Sequence, residues 1–106
     1  MPEYLFEVSY TLDGVRGVRE QGGTARLAAA REAAASVGGT VKTFHYAFGG
    51  TDVYAIGEFP DNTSAAAFAL AVGASGAVDI RTVVLLSPEE IDAAVRREVR
   101  YRPPGA

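Results

Sequence analysis

The residues best suited to chemistry in this chain gather in one stretch, Val41 to Asp61, which holds the only histidine, His45. Imidazole titrates near neutrality, so His45 is the natural general acid or base, and it can also ligate haem or a metal. Gly49-Gly50 lies between two alternating runs, a strong hairpin signal because type I′ and II′ turns require positive φ. With those two glycines as the loop, Phe48 faces Thr51, Ala47 faces Asp52, Tyr46 faces Val53 and His45 faces Tyr54. Alternation then puts His45, Asp52 and Tyr54 on one face of the hairpin. In a catalytic reading His45 shuttles a proton, Tyr54 donates to a substrate carbonyl or enolate, and Asp52 orients the pair. The plainer reading makes His45 and Tyr54 a packed cross-strand pair at an interface. In that reading Asp52 is a carboxylate that accepts backbone N–H groups after a tight turn. Arg81 with Glu7 and Asp79 offers a carboxylate-binding set, or an ion-pair network between strands or subunits.

Other chemistries are excluded by what is missing. The chain contains no cysteine, which removes disulfides, thiol catalysis and thiolate metal sites. One histidine does not make a His-rich zinc site, and no metal or cofactor is expected. The net charge of −3 gives no electrostatic case for nucleic acid or an anionic membrane. Neither GxGxxG nor GxxxxGK[ST] occurs, so Gly73 and Gly76 read as helix-end residues rather than a phosphate loop. MPEYLFEVSY lacks a basic region followed by a long apolar run, so no signal peptide is expected, and no stretch suits a membrane span. A cytoplasmic location follows as the default.

Seven elements must position these residues. Tyr4 to Leu12 alternates as a half-buried strand that Asp13-Gly14 ends. Val15 to Gly23 is ambiguous, because Gly17, Gly22 and Gly23 oppose a long helix. Thr24 caps a helix, ARLAAAREAAASV, that ends at Gly38-Gly39 with Leu27, Ala30, Ala34 and Val37 as its apolar stripe. The hairpin follows, then a helix from Asp61 or Asn62, then a strand from Ala77 to Leu86. Ser87-Pro88-Glu89-Glu90 starts a last helix that runs to about Val99, with Arg96, Arg97 and Arg100 at its end. The order β-α-β-β-α-β is the split βαβ, or ferredoxin-like, pattern, here with an extra C-terminal helix. Right-handed crossovers give an antiparallel sheet of order 4-1-3-2. Residues 1–100 form one domain and 101–106 a flexible tail.

Two helices cover only one face of such a sheet. Phe6, Val8, Tyr10, Phe44, Phe48, Val53, Ala55, Ile80 and Val84 should meet them. The other face carries Leu5, Glu7, Ser9, Thr43, His45, Asp52, Tyr54, Ile56, Glu58, Asp79, Arg81, Val83 and Leu85. It is too polar for a core and too apolar to lie bare in water. A second copy is the simplest cover, since two-fold homodimers are the commonest oligomers. The alanine-rich helices leave either a tight core or a small pocket against the sheet.

These residues resemble the GYD-domain family of small bacterial proteins, within the dimeric α+β-barrel superfamily, from Tyr4 to about Val95. The likeness rests on Gly14-Val15-Arg16, Gly38-Gly39, Gly49 to Val53, Glu58-Phe59-Pro60-Asp61, Leu70 to Gly76, Arg81-Thr82 and Ser87-Pro88-Glu89-Glu90. Thr51 stands where the family's Gly-x-Tyr-Asp pattern has tyrosine. The family is largely without an assigned activity, so the resemblance implies the fold and a dimeric α+β barrel rather than a reaction. The expectation is a homo-oligomer, a dimer or higher, whose role is binding or assembly, with a small apolar ligand allowed as partner. The alternative is a cofactor-independent monooxygenase or isomerase. That alternative requires a closed pocket of ~300 Å³ or more touching His45, Tyr54 and Asp52.

Overall fold

A computed structural model describes residues 1–105. The elements run β1 (Glu3–Tyr10), α1 (Leu12–Gln21), α2 (Gly23–Ala35), β2 (Thr40–Tyr46), β3 (Val53–Glu58), α3 (Asn62–Ala74), β4 (Val78–Leu85) and α4 (Pro88–Val95). The strands form one antiparallel sheet of order β2-β3-β1-β4, the expected ferredoxin-like layout. No helix is long and apolar enough to cross a membrane.

Side-chain alternation along β1 decides which face is buried. Tyr4 and Phe6 point to the helices and are buried, as are Val53 and Ala55 on β3. Phe59, Phe68, Ala34 and Ala65 close the core around them. The ring of Phe6 meets Phe59 and Phe68 edge-on, with centroids 5.7 and 5.1 Å apart. Edge-to-face contact adds to burial because the rim of one ring is positive and the face of the other negative. Tyr4 keeps its hydroxyl satisfied by donating to Asn62 Oδ1 at 2.6 Å.

The ambiguous segment after β1 is a helix. β1 stops at Tyr10, two residues before the expected end at Leu12, because Thr11 turns out of the sheet to cap α1. Its Oγ1 accepts from the Gly14 N–H and donates to the Gly76 carbonyl at 2.8 Å, tying α1 to the turn before β4. Gly14 sits where a Cβ would overlap the Ala77 carbonyl oxygen, so the glycine permits this contact rather than weakening the helix. Gly22, at φ 85°, ends α1 and starts α2, so α2 begins at Gly23 with no side-chain cap in place of the expected Thr24.

The hairpin keeps its expected register but not its turn. Tyr46 faces Val53 and His45 faces Tyr54. Gly49 and Gly50 lack positive φ, and the connection spans residues 47–52. Asp52 is tied to β1: its N–H donates to the Val8 carbonyl at 2.8 Å and its Oδ2 accepts from the Tyr10 N–H at 2.8 Å. Its carbonyl also accepts from the Ala47 N–H at 2.8 Å, so the expected Ala47–Asp52 pairing holds and residues 48–51 form the loop. Phe48, expected in the core, is left fully exposed at the tip.

α4 starts at Ser87 as expected, and a capping box holds it: Ser87 Oγ accepts from Glu90 N–H and Glu90 Oε1 accepts from Ser87 N–H. It ends at Val95 rather than near Val99, so Arg97 and Arg100 lie beyond it. A helix this short is marginal unless a face is buried, and no residue from Pro88 to Arg102 is buried. The described chain extends 57 × 33 × 22 Å with a radius of gyration of 16.9 Å. A compact chain of this length would have about 13 Å. The C-terminal segment therefore projects from the body.

Candidate functional site

The open face of the sheet is ordered in cross-strand rows. His45 lies opposite Tyr54, Tyr54 opposite Glu7, and Glu7 opposite Arg81. Four of the five residues expected to carry function thus form one row across all four strands. The next row holds Thr43, Ile56, Leu5 and Val83, mostly apolar. Below it Glu58, Glu3 and Leu85 align. Lys42 joins them through a β-bulge: Val41 pairs with Gly57 and Thr43 with Ile56, leaving Lys42 extra. Its Nζ reaches Glu58 at 3.3 Å and Glu3 at 3.6 Å. The hydrogen bond to Glu58, with the charge of Glu3, raises the Lys42 pKa above its ordinary value.

Row geometry limits the chemistry. Neighbouring strands lie ~4.8 Å apart, so His45 and Arg81 at the two ends of the row are roughly 14 Å apart. They cannot share one reacting atom. His45 and Tyr54 are adjacent, but both are exposed. The chain is indented by a cleft of about 180 Å³ between sheet and helices, one of about 460 Å³ beside α1, and one of about 490 Å³ near the N-terminus. Neither His45 nor Tyr54 lines any of these three. Glu7 and Arg81 face each other without an ion pair among the described residues.

Asp52 does not join the others. Its carboxylate accepts from Tyr10 N–H, and it lines the cleft beside α1 together with Tyr10, Val15, Tyr46 and Phe48. The expectation that His45, Asp52 and Tyr54 share a face is corrected. The hydrogen bond to β1 carries Asp52 to the end of the sheet on the helix side. Thr51, beside it, is half-buried in the loop. No group of three or more His, Cys, Asp or Glu placed to hold a metal occurs among the described residues.

Arg26 was not among the residues expected to carry function, and Tyr10 was expected only to pack against the helices. Arg26 of α2 and Tyr10 of β1 both line the cleft between sheet and helices. Burial, with Tyr46 beside it, pushes the Tyr10 pKa up from 10.0 to about 12. The signal available was the run of alanines in α2, too short to fill the space above the central strands.

Helices on one face of a four-stranded antiparallel sheet, with the other face open and mixed in character, define a ferredoxin-like α+β module. The GYD-domain family model matches residues 4–95, and the chain belongs to the GYD-domain family. A comparison with curated proteins and one with solved structures each returned no match.

Proposed function

We propose that the protein works as a homo-oligomer that assembles through the open face of its sheet, in a binding or scaffolding role. The observation that carries this is the row pattern. An apolar row of Ile56, Leu5 and Val83 runs beside Glu7 and Arg81, which face each other unpaired. Under a two-fold axis Glu7 would meet the partner's Arg81 and Arg81 the partner's Glu7, a self-complementary arrangement. The four strands present roughly 19 × 26 Å, on the order of 500 Å². A standard interface takes about 800 Å² from each partner. The projecting C-terminal segment supports the remainder, since Ile91, Val95, Val99 and Tyr101 are exposed along it.

The His45-centred enzyme reading gains one point from the same geometry. His45 and Tyr54 stand directly opposite each other, and a second copy would supply the enclosure that the single chain lacks.

Light scattering tests the assembly. The expected mass is a multiple of one chain at micromolar concentration, and Leu5→Arg reduces it to a single chain with the near-ultraviolet circular dichroism preserved. A wild-type mass of one chain overturns the proposal.

A further inference from the structure

The cleft between sheet and helices has the form of a small-molecule site. α2 packs over β2 and α3 over β4, so the central strands β1 and β3 lie beneath the gap between the helices. From α2 the gap is faced by Ala29, Ala30 and Ala33, which carry only methyl groups. Opposite them stand large apolar side chains, Phe6, Phe44 and Phe68. The space left is about 180 Å³. An apolar cavity of ~150 Å³ stays dry and accepts benzene. Its walls lack contact atoms on one side, so an apolar guest gains dispersion energy that water does not offer.

One end of this space is polar. Arg26 is the only charged side chain lining it, and it makes no ion pair among the described residues. Tyr10 lines the same cleft, with its phenol beside Tyr46. The Tyr46 hydroxyl donates to the Gly23 carbonyl at 3.1 Å. An apolar chamber the size of one ring, with an unpaired guanidinium and a phenol at one end, is complementary to a small apolar acid. A guanidinium takes a carboxylate in a charge-assisted, bidentate hydrogen bond.

We infer that this cleft binds a small monocarboxylic acid with a hydrocarbon body about the size of a phenyl ring, its carboxylate on Arg26 beside Tyr10 and its body among Ala30, Ala33, Phe44 and Phe68. The site lies on the opposite side of the sheet from the open face, so it does not depend on the assembly proposed above.

Phenylacetate and phenylacetamide have the same shape and differ in charge, which makes them the probes. Titrations followed by calorimetry and amide chemical shifts should show phenylacetate binding at least about tenfold more tightly than the amide. Shifts should concentrate at Tyr10, Arg26 and Ala30. Arg26→Met should abolish the preference for the acid, and Ala30→Leu should weaken both probes by filling the chamber. Equal affinity of acid and amide for the wild type overturns the inference, as does the absence of any shift at these residues with millimolar phenylacetate. Those two outcomes need no variant, so a poorly folded Ala30→Leu leaves the test intact.

Discussion

Asp52 shows how a single hydrogen bond decides which residues meet. Its carboxylate holds the Tyr10 N–H, 42 positions away in sequence, and by doing so leaves His45 and Tyr54 without it. The His45–Tyr54 pairing was legible in the sequence because it depends only on hairpin register, a local matter. The destination of Asp52 was not, because its partner lies on another strand. Loss of an acceptor from a partly buried N–H costs about 1–3 kcal/mol. Asp52→Ala should therefore lower stability by about that amount in urea unfolding, and Asp52→Asn by less, because an amide oxygen still accepts. Equal losses from both would show that the charge, not the acceptor, matters. Tyr10 gives a second expectation at this scale. Burial raises its pKa from 10.0 to about 12, so the folded state keeps the phenolic proton that the unfolded chain has released. Stability from this source is intact below pH 10.0 and is lost as pH climbs toward about 12. The alkaline difference titration between wild type and Tyr10→Phe should centre near 12, and the variant should lose stability less steeply over that range.

Among the elements, α1 departs furthest from what its residues suggest. Glycine is poor in helix interiors, and Gly17, Gly22 and Gly23 argued against a helix that nonetheless forms, with Gly14 and Gly17 inside it. The two glycines have different reasons to be there. Gly14 is buried, and a side chain on it would collide with the Ala77 carbonyl, whereas Gly17 faces open space. Alanine should therefore have opposite effects at the two sites. Gly17→Ala should stabilise by roughly 0.5–1 kcal/mol through the entropy of the unfolded chain. Gly14→Ala should destabilise by about 1–3 kcal/mol, since the backbone it meets cannot yield. Thermal melts of both variants check the sign. The other elements were largely readable for physical reasons. The alternation of β1 and the caps at Asp61 and Ser87 are encoded within a few neighbouring residues. The length of α4 was not, because a helix persists past its start only where a surface receives it, and the described chain offers none.

At the scale of the whole molecule, two surfaces remain unsatisfied together. The sheet has an open face with an apolar row, and the chain ends in a segment whose apolar residues touch no core. A monomer would expose both to water, at a cost that scales with apolar area. In the proposed assembly, association through either one would bring the other near a second copy, because α4 follows β4, an edge strand of the sheet, in the chain. Folding and assembly should then be linked. For a dimer that unfolds to two chains, each tenfold rise in protein concentration stabilises the folded state by about 1.4 kcal/mol. The urea midpoint should accordingly rise with concentration across the micromolar range. Deleting residues 88–106 separates the contributions of the two surfaces. The core residues all precede this segment, so the truncated chain should keep its near-ultraviolet circular dichroism. Under the proposed assembly, the dissociation constant of the oligomer should rise by at least about tenfold, the effect of losing 1.4 kcal/mol of interface energy. An unchanged constant would assign the whole interface to the sheet and leave the exposed Ile91 and Val95 to some other contact.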